Sequence, residues 1–256
     1  MAQAIIFGVK DAGLDASIIV GEPFEKRRES LKNDLGVEVT ASNKEAVTGA
    51  DIVVLAIKPQ QLDAVADELK TVLKANQTLL SIMAGLKMHS IGLKFGHKKL
   101  IRVMPNTPAQ IRKGISAWTV SDDVDQATTD FVASMLKAIG DELKFSDEKS
   151  IDIATALSGS GPGYVFLMIE AMADAGVELG LPVHVARHLA SQTVLGSAAL
   201  QRETGKHPAE LRNMVTSPAG TTAAGLAALE NGGFRATIAD AVRTAFERGE
   251  ELAGGK

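Results

Sequence analysis

Hydrophobic positions in the first half of the chain switch between a helical and a strand period. Ile5, Ile6 and Val9 fall on one stripe of a helix over residues 1–12, and Gly13 stands where a helix C-cap glycine belongs. Residues 17–22 form an Ile/Val-rich strand bounded by Gly21 and Pro23. Residues 24–35 are charged with sparse apolar positions, which predicts an exposed helix ended by Gly36, and residues 37–40 form a short strand. Ser42 and Glu45 make a capping-box pattern opening a helix over residues 43–48. Residues 51–57 are apolar without interruption, the pattern of a strand buried on both faces of a parallel sheet. Residues 62–73 return to helical spacing. Residues 78–83, 100–104 and 114–120 are further strands, 126–139 a helix and 142–145 a last short strand. Strands and helices alternating in this way predict a doubly wound α/β domain.

After Asp147 the strands stop. Long helical segments over residues 163–179, 183–201 and 234–252 are punctuated by Gly-Pro and Gly-Gly breaks, with Ala, Leu and Glu enriched. The change of character places a domain boundary near residues 145–152, giving residues 1–147 to the α/β domain and 148–256 to an all-α domain. Small apolar residues are too frequent there for a solvated bundle, so part of this half should bury against a second subunit.

Composition narrows the functional classes. The 256 residues carry a net charge of −4, with 45% hydrophobic and 23% charged residues, and no basic stripe that would replace phosphate counterions on a nucleic acid. The chain has no cysteine, which excludes disulfides and thiolate chemistry and fits a reducing compartment. No signal-peptide pattern and no apolar run of membrane-spanning length is visible, so a cytoplasmic location is expected. His184 and His188 are spaced i, i+4 on a helix but lack the acid and third ligand of a metalloenzyme motif, so no metal is expected. His89, His97 and His207 have no Ser or acidic pattern suggesting a nucleophilic triad.

Doubly wound sheets bind ligands at the carboxyl ends of their strands. At the first such end, Glu22 is placed to accept from ribose hydroxyls, while Lys26, Arg27 and Arg28 beside it would suit a 2′-phosphate; preference between the two coenzymes stays open. Ala56-Ile57-Lys58-Pro59-Gln60 follows the most apolar strand, and Lys58 there suits a cofactor or a substrate acid. In Met104-Pro105-Asn106-Thr107-Pro108 two prolines hold a rigid turn, either a ligand wall or a structural corner. In the helical half, Ser158-Gly159-Ser160-Gly161-Pro162-Gly163 and Thr216-Ser217-Pro218-Ala219-Gly220-Thr221-Thr222 read as glycine-containing breaks opening helices. Free backbone N–H groups at such a start suit a carboxylate, although Ser217, Thr221 and Thr222, each taken alone, read first as helix caps.

Together these segments resemble pyrroline-5-carboxylate reductase. The resemblance runs through Val54–Gln60, Arg102–Ala109 and Leu157–Pro162. Its most specific stretch is residues 211–230, with Val215-Thr216-Ser217-Pro218-Ala219-Gly220-Thr221-Thr222-Ala223-Ala224-Gly225-Leu226 at its centre. It implies a Rossmann-type domain followed by an all-α dimerisation domain, reducing 1-pyrroline-5-carboxylate to L-proline with NADPH or NADH in a homodimer or higher homo-oligomer. By the same resemblance Asn43, Ala56, Lys58 and Pro59 lie along the cofactor, and Asn106, Thr107 and Pro108 border its nicotinamide end. Ser217, Gly220 and Thr221 hold the substrate carboxylate, and Thr222 bonds the ring nitrogen as the catalytic hydroxyl. Two alternatives remain: a non-catalytic oligomeric remnant of the same fold, and a related reductase of another imine or keto acid.

The family begins with a short strand and a Gly-x-Gly-Asn-Met-Ala loop, and this chain starts at the Met-Ala. The first strand and both glycines are therefore expected to be absent, leaving unpaired edges on two neighbouring strands. Either the start codon is placed late by roughly ten residues, or the chain is truncated and weakened in cofactor binding. Gly163 also departs from the alanine more usual after the Gly-Pro, with only added flexibility expected.

Overall fold

Alternating strands and helices build the first part of the computed structural model, which describes residues 1–254. In order these are α1 (Ala2–Asp11), β1 (Ile19–Gly21), α2 (Glu25–Leu35), β2 (Glu38–Thr40), α3 (Asn43–Val47), β3 (Ile52–Leu55) and α4 (Leu62–Leu69). Next come β4 (Thr78–Ser81), α5 (Met88–Phe95), β5 (Leu100–Met104), β6 (Gly114–Val120), α6 (Gln126–Lys137), β7 (Gly140–Lys144) and α7 (Glu148–Ala154). Helices follow to the end: α8 (Gly161–Glu178), α9 (Val183–Thr204), α10 (Pro208–Met214), α11 (Thr221–Asn231) and α12 (Phe234–Ala253). Contacts divide the chain into two units, Met1–Ser160 together with the end of α12 from Ala245, and Gly161–Thr244.

The first unit has a Rossmann-type architecture in two sheets. β1 and β2 pair in parallel, and β3-β4-β5-β6-β7 form a second sheet in that spatial order. β1 and β3 thus each keep one unpaired edge. α1 serves both sheets: Ile5 and Val9 enter the core formed by Leu80, Ile101, Val103, Trp118 and Leu136, while Ile6 joins Leu31 and Val37 under β1 and β2. On the opposite face Leu62, Ala66 and Leu69 of α4 and Ile91 and Phe95 of α5 pack with Leu55, Leu79 and Leu100. Burial on both faces explains the Ile/Leu/Val character of β4 and β5.

Four local expectations need correction. β3 is shorter than the apolar run and is not buried on both faces, because it is an edge strand and Val54 is 37% exposed. The capping box at α3 is half made: Ser42 accepts from the Glu45 N–H, but the Glu45 carboxylate takes the Thr40 hydroxyl instead of reaching back. Thr40 Oγ1 in turn accepts the Ser42 N–H at 3.1 Å, which removes the donor Glu45 would have served. The sheet is not all parallel, since β6 runs antiparallel to β5. Their connection holds only a 3₁₀ turn, Thr107–Ile111, far short of a parallel crossover.

The fourth concerns residues 158–163: the break is confined to a bend at Ser160, after which α8 opens at Gly161, while Ser158 and Gly159 belong to a helical turn. α7 runs into a π-helical turn, Thr155–Gly159, and Ser160 N–H donates to the Thr155 carbonyl at 2.9 Å. Thr155 and Ser158 hydroxyls donate back to the carbonyls of Ile151 and Ala154, so the widened turn leaves few free groups. A Cβ at Gly159 would lie 2.6 Å from the Met104 methyl, which would have to turn aside.

The second unit is helical. α8 and α9 pair through Ala173, Ala186 and Ala190, a core of small residues that buries little. Phe166, Leu167, Leu179 and Leu195 stay more than half exposed, with Leu179 at 88%. No helix among the described residues is long and apolar enough to cross a membrane.

Candidate active site

The carboxyl ends of β1, β3 and β5 carry the polar groups of the first unit. Glu22 extends the β1 ladder by donating its N–H to the Thr40 carbonyl at 3.0 Å, which sets its side chain at the strand end. Its carboxylate accepts from Phe24 N–H at 3.1 Å and faces Arg27 Nε at 3.3 Å. Asn43 opens α3 and gives its amide to Glu68 at 2.8 Å. A Cβ at Gly21 would stand 2.8 Å from Asn43 Oδ1, so glycine leaves room for the Asn43 amide beside this strand end. Beyond β3, Ala56 and Lys58 are exposed, and Pro59–Gln61 forms a 3₁₀ turn whose Gln61 side chain accepts the Lys58 N–H at 3.1 Å.

The turn after β5 is rigid for reasons beyond its prolines. Asn106 is buried, and its amide bridges two elements: Nδ2 donates to the Ser158 carbonyl at 3.1 Å, and Oδ1 accepts Ile115 N–H at 3.0 Å. Both ends of this side chain are committed within the protein, while Thr107 is exposed and Pro108 half-buried. Beneath the turn, Arg102 is 2% exposed and pairs with Asp152 at 2.5 Å and Glu148 at 3.2 Å. Sequence reasoning missed this pair; an arginine inside the apolar run Leu-Ile-Arg-Val-Met was the available signal, since a charge is buried only with a partner.

In the second unit, residues 217–220 form the turn before α11. Its N-cap is Gly220 and no side chain caps the helix, so none of the three hydroxyls, Ser217, Thr221 or Thr222, takes the capping role. The first intrahelical bond runs from Ala224 N–H to the Gly220 carbonyl at 3.2 Å, which leaves earlier N–H groups of the first turn pointing out of the helix start. Ala219 adopts φ 58°, a left-handed conformation unusual for a residue with a Cβ. Gly220 is pressed against the turn, for a Cβ there would lie 2.3 Å from Ser217 Oγ. A rigid turn and an uncapped eleven-residue helix with its positive end open suit a carboxylate.

The groups at the strand ends fit a nicotinamide dinucleotide. The close approach at Gly21, the oriented Glu22 carboxylate and the exposed cation Lys58 supply acceptors and charge in the places such a ligand uses. The start of α1 also has no side-chain cap and offers free N–H groups of the kind that hold pyrophosphate. Among the described residues no group of three metal-ligating side chains gathers, and His184 and His188 lie exposed on α9.

Comparison with known proteins gives a consistent answer. A family model described as pyrroline-5-carboxylate reductase dimerisation matches residues 148–252, and one described as NADP oxidoreductase coenzyme F420-dependent matches residues 1–85. A pyrroline-5-carboxylate reductase of Arabidopsis thaliana is 42% identical over 98% of this chain and 92% of its own length. The solved reductase of Coxiella burnetii superposes with a TM-score of 0.91 at 35% identity, covering 98% of this chain and 94% of that one. The Plasmodium falciparum reductase, solved with NADP bound, gives 0.88 at 30% identity, with coverage of 98% and 94%.

Proposed function

Because the chain belongs to the pyrroline-5-carboxylate reductase family, we propose a division of labour for its residues in reducing 1-pyrroline-5-carboxylate to L-proline. When bound, the reduced nicotinamide coenzyme supplies the hydride that adds to the imine carbon. Glu22, Asn43, Ala56, Lys58 and Pro59 hold it along the strand ends, with Lys58 as the positive charge. Thr107 and Pro108 form the wall at its nicotinamide end, and Asn106 keeps that wall in place.

The substrate carboxylate is held by the turn before α11. Gly220, Thr221 and the following N–H groups donate to it, with the Ser217 hydroxyl beside them. Thr222 bonds the ring nitrogen. An imine nitrogen takes a proton readily, so Thr222 needs to orient it and no strong acid is required. The observation that carries this reading is the uncapped start of α11, whose free N–H groups meet no side chain of their own.

The helical unit makes the protein a homo-oligomer, which accounts for its exposed Phe166, Leu167, Leu179 and Leu195. A homodimer in the cytoplasm completes the proposal; a cysteine-free chain suits that reducing compartment. The test is loss of nicotinamide absorbance on adding 1-pyrroline-5-carboxylate, with proline identified as product. Substrate-dependent oxidation supports the reading, and none with either coenzyme by a folded chain overturns it.

A further inference from the structure

Choice between the two coenzymes turns on what meets the ribose 2′ position, a hydroxyl in NADH and a phosphate in NADPH. At the end of β1 the sequence offers an acid and three bases, and the geometry ranks them. The Glu22 side chain is only 14% exposed and is held from two sides, by Phe24 N–H at 3.1 Å and Arg27 Nε at 3.3 Å. It cannot swing away from an incoming phosphate without losing both. Each carboxylate oxygen still has a lone pair to accept a ribose hydroxyl.

Two of the three bases are less available than their number suggests. Arg28 spends one terminal nitrogen on two backbone carbonyls, those of Glu22 and Pro23, both at 2.8 Å. Arg27 is 66% exposed but its Nε belongs to Glu22, and turning it to a phosphate would leave the Glu22 charge uncompensated beside that phosphate. Glu22, Glu25 and Glu29 cancel Lys26, Arg27 and Arg28, so the segment has no net positive charge to offset a dianion.

We infer that Glu22, oriented by Arg27 and the Phe24 N–H, makes this chain select NADH over NADPH. The inference rests on the coenzyme site proposed above. It is tested by titrating the full chain separately with NADH and NADPH and following nicotinamide fluorescence, with no substrate present. NADH should bind roughly tenfold more tightly or better, the scale of one hydrogen bond to a charged group. Glu22→Ser should weaken NADH, strengthen NADPH and close that gap, with circular dichroism confirming an unchanged fold.

Equal or tighter NADPH binding by the wild type overturns the inference, as does an unchanged ratio in Glu22→Ser. A selective loss of NADPH binding in Arg27→Ala overturns it too, since Arg27 would then be a phosphate ligand. These outcomes leave the coenzyme site standing. Only a folded wild type that binds neither coenzyme removes the site along with the selectivity.

Discussion

Asn106 and Ser158 stand 52 residues apart in sequence, yet the Asn106 amide donates to the Ser158 carbonyl at 3.1 Å. The same side chain accepts Ile115 N–H at 3.0 Å, so one buried amide joins the turn after β5, the start of β6 and the π-helical turn. π turns occur frequently at functional sites. Asn106→Ala should cost about 1–3 kcal/mol, the penalty of leaving two buried partners unpaired. Urea unfolding measures it, and a variant as stable as wild type would show that water replaces the amide.

Arg102 has a related role one step deeper. Its guanidinium is nearly inaccessible and ties β5 to α7 through Asp152 and Glu148. Arg102→Leu removes the cation and strands two largely buried carboxylates, an effect of about 3–5 kcal/mol for breaking a buried pair. The same unfolding experiment should show this loss. A variant as stable as wild type would show that the buried pair does not hold β5 to α7.

The proposed role of Thr222 predicts a split between two conservative variants. Thr222→Ser keeps the hydroxyl and should retain most of the turnover. Thr222→Ala should lower kcat by roughly ten- to a hundredfold, the worth of one or two hydrogen bonds at the reacting nitrogen. Steady-state rates at saturating substrate decide it; a Thr222→Ala enzyme turning over like wild type would remove Thr222 from the chemistry.

Asp125 gives a prediction about pH. As N-cap of α6 it accepts the Thr128 N–H at 2.8 Å, and this bond, with Lys99 nearby, holds its carboxyl down at about 2 against an ordinary 3.8. A depressed carboxyl stabilises the fold above its unfolded value and loses that contribution as pH falls through about 2. Asp125→Asn should therefore melt lower than wild type near neutrality, and the difference should shrink progressively below pH 3.8. Thermal unfolding across that range checks the trend, and a difference independent of pH would contradict it.

Much of this was legible in sequence where local pattern decides structure. β5 and β6 begin and end where the apolar runs do, and α8, α9 and α12 follow the segments read as long helices. What failed depended on distant partners. The exposure of Val54 reflects the unpaired edge of β3, which no local pattern encodes. The Ser42–Glu45 spacing reads as a capping box because the competing donor, the Thr40 hydroxyl, lies outside that motif. At the site, the motif around Ser217 and Thr222 identified the turn before α11, but not that Gly220 holds the N-cap position with no side-chain cap or that Ala219 is left-handed. The double duty of Asn106 was hidden for the same reason, with one partner 52 residues away.

The most direct test of the account compares 1-pyrroline-5-carboxylate with 1-pyrroline, the same cyclic imine without its carboxylate. If the start of α11 holds that carboxylate, removing it should lower kcat/KM by roughly a hundredfold or more, the worth of two hydrogen bonds to a charged group. Equal kcat/KM for the two imines would contradict the account, because the turn from Ser217 to Thr222 would then be holding nothing the reaction needs.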